Sequence, residues 1–552
     1  MNKRRGKSKG KGKNGNRSGS VDPNAAFDLS VSPEALVDER ELASLAARQI
    51  GEASAEVARV EILRRAVDAR RGRVRVHLRV RVHRHGDPVL PERSYRPRVL
   101  PTLGSNPQVV IVGAGPAGMF CAWKLAQLGV ASIVVERGRA VRERRRDVAR
   151  LSRVGQLDPE SNYCYGEGGA GTFSDGKLYT RSHKRGQISE VLEAFVAYGA
   201  SPDLFVEARP HIGTNRLPGV VTAMREHLES AGVHFSFGAR VDGLCLQGER
   251  VVGVRLADGS ELRAGAVVIA TGHSARDVFS WLGRAGVRMV SKPFALGVRV
   301  EHSQAVIDKI QYGSHAGHAG LGPASYRIVE RSGDVGVFSF CMCPGGHIAP
   351  ASTEQDAVVV NGWSPSSRRG RYANSGFVTE VGATQLAAMG LDPADPMAGL
   401  VFQRHFERLA FEAGGGSFVA PAQRISDLVA GRRSSDLPSC SYPPGIESAD
   451  LHELLGVLAE PIVGALRRLD ARMPGFVSPE SIAVGVESRT SSPLRIERES
   501  ESLEAPGRAG LYPCAEGAGY AGGIVSAALD GILVARKIAE RYGTDRSANV
   551  AP

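Results

Sequence analysis

No stretch of the 552 residues holds the roughly 18 consecutive apolar side chains that a helix needs to cross a bilayer. The strongest apolar segments, such as AVVIATG ending at Gly272, are strand-length, so no membrane span is expected. Cysteine is scarce, seven residues at 121, 164, 245, 341, 343, 440 and 514, odd in number, scattered, and with no secretory leader ahead. A secreted disulfide framework is therefore not expected, and a reducing, cytoplasmic setting is. Cys341, Cys343 and His347 lie close in FCMCPGGHIAP, but no fourth ligand stands at a suitable spacing, so no metal site is expected. Internal repeats are absent. Between 180 and 480 there is no second GxGxxG with a strand ahead of it, which excludes a dedicated nicotinamide domain there.

Single cores stop growing near about 250–300 residues, so this length predicts two or three domains. Hydrophobic residues at 42% and charged residues at 23% leave ample apolar surface for globular cores. The formal charge of +12 is unevenly spread. Lys3, Arg4, Arg5, Lys7, Lys9, Lys11, Lys13 and Arg17 supply eight positive charges with no acid among them, leaving +4 for the rest. Residues 1–25 are read as a disordered basic tail, since so little apolar surface cannot offset the entropy of ordering. Without interleaved aromatics it is poor evidence for a base-reading surface, and nucleic acid is not expected as a partner.

Residues 26–100 read as a small α+β module: a short apolar run (FDLSV), a helical stretch over 33–50, and two strand-like runs, VEILRRAVDAR and RVRVHLRVRV. The second alternates apolar and Arg residues, the pattern of a strand with one wet face. Residues 105–285 and 480–545 are assigned to one discontinuous dinucleotide-binding domain, with 286–479 as an inserted α+β substrate domain.

VVIVGAGPAGMFCAWKLAQLGVASIVVERG reads strand, Gly-rich turn, helix, strand. Gly113 permits the tight turn, Gly115 lets a pyrophosphate reach the backbone beside Ala117, and Gly118 lets helix and strand pack closely. Glu136 ends the second strand, where a carboxylate accepts hydrogen bonds from ribose hydroxyls; it disfavours a 2′-phosphate, with Arg137 as the opposing charge. Two distant segments resemble the other FAD-contacting stretches of two-dinucleotide-fold flavoproteins: Thr271-Gly272 at the end of a strand, and CAEGAGYAGGI with Glu516, Gly517, Gly522, Gly523 and Ile524. The resemblance implies a glutathione-reductase-like FAD-binding Rossmann domain, with a late helix aimed at the flavin edge where negative charge collects on reduction.

Tyr165 to Leu178, YGEGGAGTFSDGKL, resembles the signature of a family described as FAD-dependent dehydrogenases or FAD-dependent proteins. ATGHSARDVF, PFALGVRVEH, FCMCPGG and CAEGAGYAGGI agree in order, so the resemblance covers nearly the whole chain from Phe27. It implies FAD but no substrate. Physically, the Gly-rich loop offers successive N–H groups, from Gly168, Gly169, Thr172, Ser174 and Gly176, to phosphates or a flavin ring, and Lys177 adds a positive charge. His347, Lys177 and Cys343 are the catalytic candidates, His347 as a proton donor; Glu167, His273, Asn361 and Arg489 are further polar residues beside Gly-rich segments. A Cys341–Cys343 bridge requires strain, and FCMCPGGHIAP is read as a strand and turn with thiols as small hydrophobes. The expected activity is hydride transfer between a small molecule and flavin N5, with NAD(P)H docking transiently or the substrate itself exchanging the hydride. A flavoprotein acting on RNA and a non-catalytic flavin-binding partner protein are the alternatives.

Overall fold

The computed structural model describes residues 26–70, 73–88, 93–180 and 186–542; the expected basic tail lies outside them. The chain divides into two units, one from the residues up to Pro91 other than 69–74, and one from 69–74 and everything after Pro91. Among the described residues no helix is long and apolar enough to cross a membrane.

The first unit contains β1 (Phe27–Val31), α1 (Glu39–Ile50), β2 (Val57–Asp68) and β3 (Arg75–Arg84). Its antiparallel sheet runs β1-β3-β2. Val76, Leu78, Val80 and Val82 of β3 are buried while Arg75, His77 and Arg79 face solvent, as the period-2 pattern predicts. The helical stretch over 33–50 is broken at Asp38, whose backbone is extended and whose carboxylate accepts from Arg40 N (2.9 Å) and Glu41 N (3.1 Å). Capping a new helix there is worth more than continuing the old one.

The second unit opens with β4 (Val109–Val112), α2 (Pro116–Gln127), β5 (Ser132–Glu136), α3 (Val141–Val154) and β6 (His234–Phe237). A meander of β7 (Val241–Gln247), β8 (Arg250–Leu256) and β9 (Glu261–Arg263) precedes β10 (Ala266–Ile269). The middle region supplies β11 (Phe294–Ser303), β12 (Val335–Pro350), β13 (Val360–Trp363), β14 (Tyr372–Val381), α4 (Ala398–Ala413), β15 (Ala420–Arg424) and α5 (Ala459–Arg472). The chain returns through β16 (Ile482–Glu487), β17 (Leu511–Pro513) and α6 (Ile524–Arg541).

Five strands form a parallel sheet in the order β17-β10-β4-β5-β6, so the last strand of the unit pairs beside the earlier ones. This is the doubly wound α/β dinucleotide-binding fold. Helix α6 lies tightly on α2 because Gly531 has no side chain to strike the Ala117 carbonyl.

The middle region, with β16 of the returning chain inserted between its strands, builds an eight-stranded sheet in the order Val329–Ser332, β12, β14, β11, β16, β15, Ile446–Ser448, with β13 paired to β12. Its central strands β11 and β14 are buried almost along their whole length. FCMCPGGHIAP forms no turn: it lies within the single strand β12. That strand bends where Cys341 takes φ 46° and Gly345 takes φ 53°, and its register against β14 slips on both sides of Cys343.

Candidate functional site

At the end of β4, Gly113 takes φ 105°, and a Cβ there would lie 2.5 Å from the Ala270 carbonyl oxygen at the end of β10. Only glycine lets these two strand ends approach so closely. Gly118 faces the Gly113 carbonyl and holds α2 against β4, whereas a Cβ on Gly115 would meet nothing nearer than Gly169 Cα at 3.8 Å. Gly113, Gly115 and Ala117 line an open cradle at the start of α2; Gly118 is the packing residue behind it.

Glu136 is buried, and its carboxylate accepts from three backbone amides: Ala114 N (2.8 Å), Gly138 N (2.9 Å) and Gly166 N (2.9 Å). It therefore ties together the turn, its own strand end and the Gly-rich loop, besides lining the cavity. Arg137 is held by Glu160 (2.7 Å) and Asp277 (2.9 Å) and lies over the Tyr165 ring. Burial opposes its charge, but Glu160, Tyr165 and Asp277 hold the guanidinium above its ordinary range.

The Gly-rich loop rests on Arg144, which is fully buried and donates to four carbonyls: Asn162 (2.8 Å), Tyr163 (2.8 Å), Glu167 (2.7 Å) and Gly169 (2.8 Å). Burial lowers its pKa to about 10, which leaves it charged at neutral pH. Glu167 does not face the cavity; its carboxylate accepts from Val141 N (2.7 Å) and Arg225 Nε (2.7 Å). Gly168 donates its N–H to Ala114 O, and the Thr172 hydroxyl donates to Glu167 O; both shape the loop from beneath. Gly169, Ser174, Gly176 and Lys177 reach the cavity.

From the other strand ends come Thr271, Gly272 and His273, with His273 Nδ1 3.4 Å from Glu516. The Thr271 hydroxyl is buried with no partner among the described residues. Gly517 packs against the Gly272 carbonyl and does not line the cavity, whereas Glu516, Gly522, Gly523 and Ile524 do. Asp530, fully buried on α6, accepts from Ala515 N (2.7 Å) and is paired with Arg498 (2.8 Å), fixing the loop that precedes the helix.

The opposite wall comes from the eight-stranded sheet and its flanks: Phe340, Cys341, Asn361, Gly362, Arg489 and Thr490. Arg489 is anchored by Glu407 (3.1 Å) and Thr353 Oγ1 (2.7 Å). Burial disfavours the Glu407 carboxylate, but Arg276 and Arg489 outweigh it and hold its pKa at about 2. His347 is not brought to the cavity; its ring stacks on Trp363 at 4.8 Å, across the β12–β13 pairing, and burial lowers its pKa. Cys343 is likewise not at the wall: the bend of β12 turns Cys341 to the cavity and leaves Cys343 fully buried behind it.

Sequence alone does not bring Arg144 or Asp530 to the site, and of the two cysteines in FCMCPGGHIAP Cys343 is the expected candidate, whereas Cys341 is the one that lines the cavity. Arg144 was hidden among the arginines of VRERRRDVARLSRV, yet it falls on the stripe of Val141, Val148 and Leu151 that α3 buries, which was the available signal. Nothing in the local sequence distinguishes Cys341 from Cys343.

These residues enclose about 440 Å³, a volume suited to a bound small molecule or cofactor portion. The open cradle at Gly115, the unpartnered Thr271 hydroxyl and the lining of Gly-rich backbone fit a dinucleotide with polar ribose and phosphate groups. Residues 106–154 match a model described as FAD binding domain, residues 293–490 one described as FAD-dependent protein, C-terminal domain-like, and residues 25–83 a domain of unknown function. An uncharacterized protein of Clostridium beijerinckii is 36% identical over 534 residues, 94% of this chain and 98% of the relative. A probable electron transfer flavoprotein-quinone oxidoreductase of Escherichia coli, YdiS, is 30% identical over 34% of this chain and 42% of its own length. Among solved structures, CtdE in complex with FAD aligns over 80% of this chain and 90% of its own at 12% identity and a TM-score of 0.31. The chain belongs to the same family as the Clostridium protein, a family of FAD-dependent proteins by the two domain matches, and its cofactor is FAD.

Proposed function

We propose that the protein is an FAD-dependent oxidoreductase acting on a small molecule in the cavity between the dinucleotide turn and the eight-stranded sheet. The observation that carries this reading is that one cavity joins the cofactor cradle at Gly115 to a wall of functional side chains, Lys177, Cys341, Asn361 and Arg489. FAD, when bound, supplies hydride acceptance and release at N5.

The chain's residues bind and orient. Gly113, Gly115, Ala117 and the start of α2 hold the pyrophosphate, and Glu136 accepts from the ribose with the one lone pair on Oε2 that its three amide donors leave free. Gly169, Ser174, Gly176, Thr271, Gly272 and Glu516 complete the cofactor contacts. The start of α6, at Gly523-Ile524, offers free N–H groups and a positive dipole end to developing negative charge. Lys177 adds a full positive charge. Burial opposes its protonation, but the sulfurs of Cys341 and Cys343 and the Asp175 carboxylate hold the ammonium above its ordinary range. Lys177 therefore serves as a fixed cation, and Asn361 as a neutral hydrogen-bonding group for substrate. The hydride comes from NAD(P)H docking transiently in the cavity or from the substrate itself.

Anaerobic titration of the FAD-loaded protein with NADH, NADPH and a panel of reduced metabolites tests the reading. Bleaching of the flavin band by at least one donor is expected. A flavin that dithionite bleaches but none of these donors touches would overturn it in favour of a non-catalytic flavin carrier.

A further inference from the structure

In a regular strand, residues two apart share a face but sit about 6.5 Å from one another. The left-handed backbone at Cys341 and the flanking register slips break that spacing in β12. Both sulfurs come to one cation: Lys177 Nζ is 3.6 Å from Cys341 Sγ and 3.4 Å from Cys343 Sγ. Arg299, fully buried and paired with Glu487 at 2.7 Å, donates to the Cys341 carbonyl (2.8 Å) and approaches Cys343 Sγ at 3.6 Å.

The two thiols are not equivalent. Cys341 lines the cavity, whereas Cys343 is fully buried behind it, with its Sγ 3.2 Å from the Cys341 carbonyl oxygen. The Cys343 thiol as donor, helped by Lys177 and Arg299 against the effect of burial, holds Cys341 well below the ordinary thiol range; Cys343 is held well above it. Cys121, Cys440 and Cys514 differ, each pushed up by burial. Packing alone requires neither a shared cation nor an opening to the cofactor cavity. An outer thiolate and an inner thiol do form the arrangement in which thiol–disulfide chemistry is fast, since the thiolate is the reactive species.

We propose that Cys341 and Cys343 are a reversible dithiol–disulfide pair that exchanges two electrons with the FAD of the same cavity, giving the protein a second redox centre. The inference rests on the oxidoreductase reading above. Joining the sulfurs forms one S–S bond, releases the Cys343 thiol proton and frees two electrons. That proton and the electrons pass together to oxidised FAD, the equivalent of one hydride, and the reverse flow restores the Cys341 thiolate and the Cys343 thiol. Lys177 stays protonated throughout as the counter-ion of the thiolate.

The test uses full-length, FAD-loaded protein under anaerobic conditions. Protein oxidised with ferricyanide, and protein reduced with dithionite, are unfolded in N-ethylmaleimide and digested, and the peptide spanning both cysteines is weighed. The oxidised peptide is expected unlabelled and lighter by two hydrogens, the reduced peptide doubly labelled. Titrated with dithionite, the wild type should consume about twice as much reductant per flavin as Cys341→Ser or Cys343→Ser before bleaching is complete. Should a variant lose its flavin, the wild-type peptide mass decides. Two labelled cysteines in the oxidised protein, or equal consumption by wild type and variants, would overturn the pair. In that case, bleaching by a hydride donor would still leave the oxidoreductase reading standing. A disulfide that forms beside a flavin no donor reduces would sink only the latter.

Discussion

Gly115 and Gly118 stand three residues apart in one turn and are expected to fail differently. A Cβ on Gly115 enters the open cradle, while one on Gly118 strikes the Gly113 carbonyl. Gly115→Val should therefore fold and be about as thermally stable as flavin-stripped wild type, yet purify without flavin, read from the ratio of flavin to protein absorbance. Gly118→Ala should lose about 1–3 kcal/mol in urea unfolding, the usual cost of overpacking a tight contact. Full flavin occupancy in Gly115→Val would show that the pyrophosphate lies elsewhere. Glu136 belongs to the same scale: it was legible as a ribose acceptor, but its grip on Ala114, Gly138 and Gly166 was not, because those amides meet only in the folded turn.

Among elements, helix α3 and the Gly-rich loop are coupled through Arg144. Arg144→Met keeps much of the volume but leaves four loop carbonyls without their donor. Each unpaired buried carbonyl costs about 1–3 kcal/mol and such costs are not additive, so a total loss of about 3–5 kcal/mol is expected, with FAD affinity at least tenfold weaker by fluorescence titration. Unchanged affinity would mean that the loop holds its shape without the arginine. Helix α4 is coupled to the cavity wall by Glu407, which joins Arg276 to Arg489. Its pKa falls from an ordinary 4.5 to about 2 in the folded protein, so its stabilisation is complete above 4.5 and is lost as pH drops through about 2. The melting temperature of Glu407→Gln should accordingly decline less between pH 5 and pH 2 than that of the wild type; parallel curves would contradict the assignment.

For the molecule as a whole, charge and architecture separate. Residues 1–20 carry eight of the twelve net positive charges. Deleting them should leave the flavin spectrum and melting temperature unchanged and markedly lower the salt needed to elute the protein from heparin, since polyanion binding scales with the cations engaged. A drop in flavin content would give the tail a part in the fold of the FAD domain.

The strand–turn–helix–strand of the FAD domain, the meander, the half-wet strand β3 and the return of the chain at β17 and α6 were determined by sequence alone. Each is written in local spacing: period 2, period 3.6, and glycines where a backbone must turn or approach. The eight-stranded sheet was not legible in detail, because β11 and β14, buried on both faces, carry no alternation to reveal their register. Only the tertiary structure decided which four loop carbonyls Arg144 meets, that Glu167 and His347 turn from the cavity, and that Cys341 and Cys343 share Lys177 from across 164 and 166 residues. Such pairings depend on which distant strand ends close on one another, and local periodicity holds no record of that.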